Sequence, residues 1–120
     1  KHVYFKGHKF PIDPWLNRSH ISVSLGINEG FGRVIIESML NKTLVLAIKG
    51  GGHDEIIINK KNGILIDSSD PKVFAKKLIY LLENSKLSKQ LINKAYKFAK
   101  KKYIDDNNIE VISNIYKELV

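Results

Sequence analysis

Glu29-Gly30-Phe31-Gly32-Arg33-Val34-Ile35-Ile36-Glu37 is the stretch on which the reading of this chain turns. Two carboxylates stand eight positions apart. Between them a Gly-Phe-Gly turn enters a helix-compatible run that ends at Asn41, a residue tolerant of left-handed geometry. Before it, Ile21-Ser22-Val23-Ser24-Leu25 alternates with period two, as a half-buried strand does. After it, Leu44-Val45-Leu46-Ala47-Ile48 is an unbroken apolar run of strand length, expected where helices cover both faces of a sheet.

The same alternation extends in both directions. Upstream, Val3-Tyr4-Phe5, closed by Gly7, predicts a buried strand. A loop over His8 to Phe10 follows, then a short helix capped by Asp13 with Pro14 in its first turn. Downstream, Gly50-Gly51-Gly52 leads into a short helix over 54–58, and Asn62-Gly63 turns the chain into the strand Ile64-Leu65-Ile66. Strands alternate with helices through short connections, which predicts an α/β fold with a Rossmann-like, doubly wound parallel sheet. Beyond Asp67 the pattern is helical. Asp70-Pro71 starts a helix with Val73, Phe74, Leu78, Leu81 and Leu82 inward. A second, over 86–102, turns Leu87, Leu91, Ile92, Ala95, Phe98 and Ala99 inward; a third, after Asp105, does so with Ile109, Ile112, Ile115, Tyr116 and Leu119.

Residues 1–120 suffice for one domain, which at this length buries roughly two-thirds of its unfolded surface. The apolar fraction of 43% argues against disorder, and the absence of cysteine excludes a disulfide framework or a thiolate metal site. No apolar run approaches the roughly 18 residues of a membrane span, and no signal-peptide pattern opens the chain. A soluble, cytoplasmic protein is the default expectation. The chain opens on Lys1, not Met, and reads as a piece of something longer. Net charge is +8, and all but Arg18 and Arg33 of the 20 basic residues are lysine. Solvated helix faces account for that excess; a polyanion or an anionic membrane surface is the lesser reading. Aromatics do not interleave with the lysines as nucleic-acid binding would require.

Two glycine-rich loops, 26–32 and 50–52, fall where open α/β sheets bind ligands, at the carboxyl ends of strands. Gly30 and Gly32 allow close backbone approach, and the amides of Phe31, Gly32 and Arg33, unsatisfied at a helix start, suit a phosphate. The stretch has neither the Gly-Lys-Ser/Thr of a Walker loop nor the third glycine of the dinucleotide fingerprint. Glu29 would repel a phosphate and suits neutral hydroxyls, to which carboxylates bond strongly. Glu37, about 7.5 Å further along the helix axis, is flanked by Val34, Ile35, Ile36 and Met39, an apolar setting for an acid. The spacing alone leaves ordinary surface acids equally open. His53 is the one histidine near both loops and reads as a donor at best, and no metal-ligand spacing is present.

Taken together, the chain resembles the C-terminal, donor-binding domain of GT-B fold, family 4 retaining glycosyltransferases. The resemblance is carried by Glu29 through Glu37 with Met39, by Gly51-Gly52-His53-Asp54-Glu55-Ile56, by Asn62-Gly63 and by Asp70-Pro71, all in register. It implies transfer of a sugar from a nucleoside-diphosphate donor with retention and without a metal. Glu29 would be the catalytic-site carboxylate that holds donor-sugar hydroxyls. Gly30, Phe31, Gly32 and Arg33 would line sugar and diphosphate, Gly51 and Gly52 would shape the floor, and Glu37 would take the ribose. The loop from His8 to Phe10 would touch the base. The resemblance further implies a saccharide or lipid-linked acceptor, an N-terminal domain and the start of this domain upstream, and peripheral contact with the inner face of a membrane. The 120 residues alone would bind nucleotide weakly and transfer nothing. Departures from the family pattern include Lys42 in place of a usual glycine, Leu44 and Asp54 in place of prolines, Leu25-Gly26 in place of Pro-Ser, and Lys49 beside the second loop. A non-catalytic basic module for a polyanion or an anionic membrane is the alternative from another class.

Overall fold

A computed structural model describes residues 2–27, 30–105, 115 and 117–119. Its centre is a parallel sheet in the order β1 (Ile21–Ser24), β2 (Leu44–Ile48), β3 (Ile64–Ile66). Ile21 lies opposite Leu44, and Leu46 opposite Ile64. β2 is the middle strand, and Leu44, Val45, Leu46 and Ala47 are at most 2% exposed. That two-sided burial is why β2 reads as continuous apolar sequence and not as an alternation.

Helices cover both faces. α1 (Asp13–Asn17) precedes β1; α2 (Arg33–Leu40) and α3 (Gly52–Ile56) are the crossovers after β1 and β2. Ile35, Ile36 and Met39 of α2 and Ile56 of α3 pack with Val45 and Ala47 on one face. On the other, Leu81 of α4 (Pro71–Glu83) packs with Leu44, Leu46, Ile64 and Ile66. α5 (Ser85–Ala99) serves both layers, sending Leu91 to the second cluster and Ala95 and Ala99 to the first. A π-helical turn, Lys100–Ile104, continues it. Asp70 caps α4 through its carboxylate and the Lys72 amide, 2.9 Å, with Pro71 at the first turn, as expected.

Several local expectations are corrected. Val3, Tyr4 and Phe5 are 73–96% exposed and belong to no strand, because among the described residues β1 pairs only with β2. A β-prone tripeptide with no neighbouring edge has nothing to hydrogen-bond. Asp13 does not cap α1; its carboxylate accepts from Asn41 Nδ2 at 2.9 Å and ties α1 to the end of α2. Asn41 keeps φ −87°, and the left-handed residue is Lys42, φ +56°. The usual family glycine at that position thus matches a backbone need that lysine meets with strain. The short helix begins at Gly52 instead of Asp54. Val73 and Leu82, expected inward, are 42% and 53% exposed, and Ile115 and Leu119 face outward as well. Ile109 and Ile112, like Tyr116, lie outside the described residues.

Candidate functional site

The two glycine loops meet at the carboxyl ends of β1 and β2, and their contact is backbone on backbone. A Cβ placed on Gly52 would fall on the carbonyl of Gly30 and within 3.2 Å of the Gly32 amide nitrogen. No side chain fits there without driving the loops apart. Gly50 and Gly51 have φ of +137° and +55°, and a Cβ on Gly50 would also stand 3.1 Å from the Ile27 carbonyl. The turn is further pinned by Asp54, whose carboxylate accepts from the Gly50 amide at 3.0 Å. Gly32 is buried against Ile35 and Ile56, whereas a Cβ on Gly30 meets no described atom within 4 Å. Gly52 is required by packing inside the protein; Gly30 faces space that the described residues leave empty.

Beneath this junction lies His53, which is fully buried. Its Nδ1 is 2.7 Å from the carbonyl of Ile48, at the end of β2, and its Nε2 is 2.9 Å from Ser24 Oγ, at the end of β1. A carbonyl can only accept, so Nδ1 carries the proton; in the neutral ring Nε2 then accepts from the Ser24 hydroxyl. The imidazole therefore bolts together the two strand ends from which the loops spring. Read from sequence, His53 is a donor at best and Ser24 a position in a period-two alternation. The missing signal was strand register, which sets Ser24 opposite Ala47 and so brings it beside the residues that follow β2. Asn62 is a second such anchor: it is buried, accepts from the Ile58 amide at 2.7 Å and donates to Ile56 O at 3.1 Å, holding the end of α3.

Of the acids and loop residues singled out, Glu29 lies outside the described residues, as does Asn28. Phe31 is 60% exposed and meets Tyr103 edge-on, with ring centroids 6.2 Å apart. The amide of Arg33, expected unsatisfied, donates to Phe31 O at 2.8 Å; the Gly32 carbonyl starts α2 by accepting from Ile35 and Ile36. The N-cap residue of α2 is Gly32, and among the described residues no side chain caps the helix. Glu37 is not sunk among its apolar neighbours: Ile35, Ile36 and Met39 point into the core while the glutamate side chain keeps 32% exposure. It sits 3.7 Å from the guanidinium of Arg33, itself 82% exposed. An exposed i, i+4 pair of that kind holds little free energy, about 0.3–0.5 kcal/mol, so Glu37 is available to another partner at small cost. Gly51 is exposed and Gly52 buried, Lys49 is exposed, and the His8 to Phe10 loop is exposed throughout, with Phe10 at 91%. A separate cavity of about 340 Å³ opens at the same end of the sheet on the α4 side, between Leu25, Ile48, Ser69, Pro71 and Phe74.

Residues 1–98 match the family described as glycosyl transferases, group 1. The poly(ribitol-phosphate) alpha-N-acetylglucosaminyltransferase of Staphylococcus aureus is 30% identical over 118 residues, 97% of this chain and 24% of that protein. Among solved structures, the C-terminal domain of the group 1 glycosyl transferase LpcC from Francisella tularensis is 32% identical and superposes with a TM-score of 0.74, covering 86% of this chain and 53% of that one. A variant of S. aureus TarM, in complex with fondaparinux, alpha-GlcNAc-glycerol and UDP, is 29% identical with a TM-score of 0.84 over 95% of this chain and 23% of that one. The chain spans 26–34% of the length of the first three curated relatives it matches. With a parallel sheet flanked by helices that matches GT-B glycosyltransferase C-terminal domains, and the family pattern running over most of its length, the chain belongs to the group 1 glycosyl transferases.

Proposed function

We propose that this chain is the donor-binding half of a retaining, family 4 glycosyltransferase, whose N-terminal domain and the beginning of this domain lie in a longer protein. The observation that carries the reading is the meeting of the glycine loops. Gly52 is packed against the Gly30 carbonyl, while Gly30 itself, beside the start of α2, faces space that the described residues leave empty. An exposed backbone shelf at a helix start, with a carboxylate one and a half turns further on, suits an extended ligand carrying phosphates at one point and hydroxyls at another. A nucleoside diphosphate sugar is such a ligand, and UDP is present in the TarM complex.

In this reading Glu29 accepts hydrogen bonds from donor-sugar hydroxyls and is the catalytic-site acid. The backbone at Gly30, Phe31, Gly32 and Arg33 lines the sugar and diphosphate, Gly51 and Gly52 form the floor, and Glu37 exchanges its weak contact with Arg33 for the ribose hydroxyls. The acceptor oxygen, from a saccharide or a lipid-linked saccharide, bonds to the anomeric carbon on the face the diphosphate leaves. The diphosphate departs with the bonding electrons and receives the acceptor's proton. Amides and helix dipole aimed at the departing charge lower the barrier without a metal, because they need no reorganisation as that charge develops. The 120 residues alone bind nucleotide and do not transfer sugar.

Isothermal titration of the chain with UDP, GDP and ADP tests this. At least one nucleotide should bind with a millimolar or lower dissociation constant, unchanged by a chelator, and Glu37→Ala should weaken it about tenfold, the loss of a charge-assisted bond of roughly 1.5 kcal/mol. A folded chain that binds none of the three would refute the assignment.

A further inference from the structure

The first glycine loop touches the far end of α5. Phe31 and Tyr103 meet edge-to-face, with ring centroids 6.2 Å apart and planes at 74°. Tyr103 meets Phe98 of α5 in the same manner, at 6.2 Å and 80°. Three rings thus run in a row from core to loop. At the inner end Phe98 and Tyr103 pack against the cluster that includes Ile35, Ile56 and Ala99; at the outer end Phe31 is exposed. Lys102 Nζ lies over both inner rings, 5.4 Å from the Phe98 centroid and 5.5 Å from that of Tyr103. The backbone here explains how the contact arises. α5 buries Leu91, Ala95 and Ala99, and an uninterrupted α-helix would next turn Lys102 inward, with Tyr103 about 100° further round. The chain instead closes a wider turn over Lys100–Ile104, in which the Asp105 amide donates to Lys100 O at 3.0 Å. That turn leaves Lys102 exposed and Tyr103 half-buried against Phe31. Such π-turns are rare and recur at functional sites.

We propose that Tyr103 is a positioning residue of the donor site: its ring holds Phe31, and through it the backbone of Gly30 and Gly32, in the geometry that receives the nucleotide. The proposal rests on the donor reading above. A glycine on each side of Phe31 leaves the backbone free to turn, and among the described residues no side chain caps α2 and nothing lies beside Gly30. Fastening the one large side chain between those glycines to the core removes that freedom. An edge-to-face ring pair shifts an equilibrium by about two- to tenfold. A loop released from it is competent to bind for a smaller fraction of the time, and the apparent dissociation constant rises by the same factor. The contact is ring on ring, so the Tyr103 hydroxyl plays no part in it.

Backbone amide order parameters of the nucleotide-free chain, together with titration by UDP, GDP and ADP in turn, test the proposal in three variants. Tyr103→Leu keeps an apolar side chain on the core but removes the ring, and Tyr103→Phe keeps the ring. Tyr96→Leu is the control: a half-buried ring on the same helix that meets Lys42 and Lys100. Tyr103→Leu should lower the order parameters of Gly30, Phe31 and Gly32 from about 0.85 toward about 0.6. It should weaken nucleotide binding about two- to tenfold. Lys42, Lys89 and Ile92, which line a slot of about 290 Å³ at the opposite, amino ends of β1 and β2, should keep their order parameters. Tyr103→Phe should restore loop and affinity, and Tyr96→Leu should leave both unchanged. Urea denaturation verifies folding; if Tyr103→Leu does not fold, Phe31→Leu breaks the same pair from its exposed end and should loosen Gly30 and Gly32 alike. Unchanged order parameters and affinity in Tyr103→Leu, or equal losses in Tyr96→Leu, would overturn the proposal and leave the donor reading intact. A wild-type chain that binds none of the three nucleotides would overturn the donor reading and Tyr103's role toward nucleotide together, whereas a loosened loop in Tyr103→Leu would still support the ring's hold on it.

Discussion

The two glycine loops stand side by side yet are held in different ways. The second, Gly50 to Gly52, is fixed from within: Asp54 fastens the Gly50 amide, His53 anchors the turn to both strand ends, and Gly52 lies flush on the Gly30 carbonyl. The described part of the first is turned outward: Phe31 and Arg33 are exposed, and among the described residues nothing fills the space beside Gly30 and no side chain caps α2. One loop is a support and the other a presenting surface. Rigidity belongs under a site and accessible backbone at its face, because a group packed away inside the protein cannot meet a ligand.

The sharpest way to break this contrast is at the contact itself. Gly52→Ala should destabilise the fold by about 3 kcal/mol, since the new methyl meets backbone and not a movable side chain, and it should abolish nucleotide binding. Gly30→Ala, one loop away, should leave stability within about 0.5 kcal/mol of wild type and still weaken nucleotide binding. Urea denaturation and titration of the two variants side by side decide whether the loops differ as described. Next in size, His53→Ala should cost about 2–3 kcal/mol, combining a cavity with the loss of buried hydrogen bonds, and Ser24→Ala about 1 kcal/mol. Equal losses in His53→Ala and in the double variant with Ser24→Ala would show that the two act as one unit. Lys42→Gly should stabilise by roughly 0.5–1 kcal/mol through relief of its left-handed backbone. Smallest of all, Arg33→Ala should change stability by less than about 0.5 kcal/mol.

These differences also explain what the sequence could reveal. β2 and the alternation of strands with helices were legible because burial on two faces leaves an unbroken apolar run, and the Asp70-Pro71 cap because its partners are local. Positions 3–5 misled because a strand is defined by its neighbour, which a three-residue propensity cannot supply. Within the site, the glycines were visible as composition, but their mutual contact spans residues 30 and 52 and needs the folded register. His53 and Ser24, 29 positions apart, are joined for the same reason. Glu37 was correctly placed on the helix after the first loop, but its environment was misjudged: sequence neighbours on a helix point in different directions, so three apolar neighbours can face the core while the acid faces out. The resemblance to a known family supplied the roles that periodicity could not.

The central claim, that the glycine loops form a cradle for a nucleoside diphosphate, is tested most directly by following backbone amide resonances of the chain during titration with UDP. The account predicts saturable shifts concentrated at Gly30, Phe31, Gly32, Val34, Gly51 and Gly52, with Glu37 following and the amino ends of β1 and β2 silent. Shifts centred instead on Lys42, Lys89 and Ile92, with the glycine loops unmoved, would contradict it.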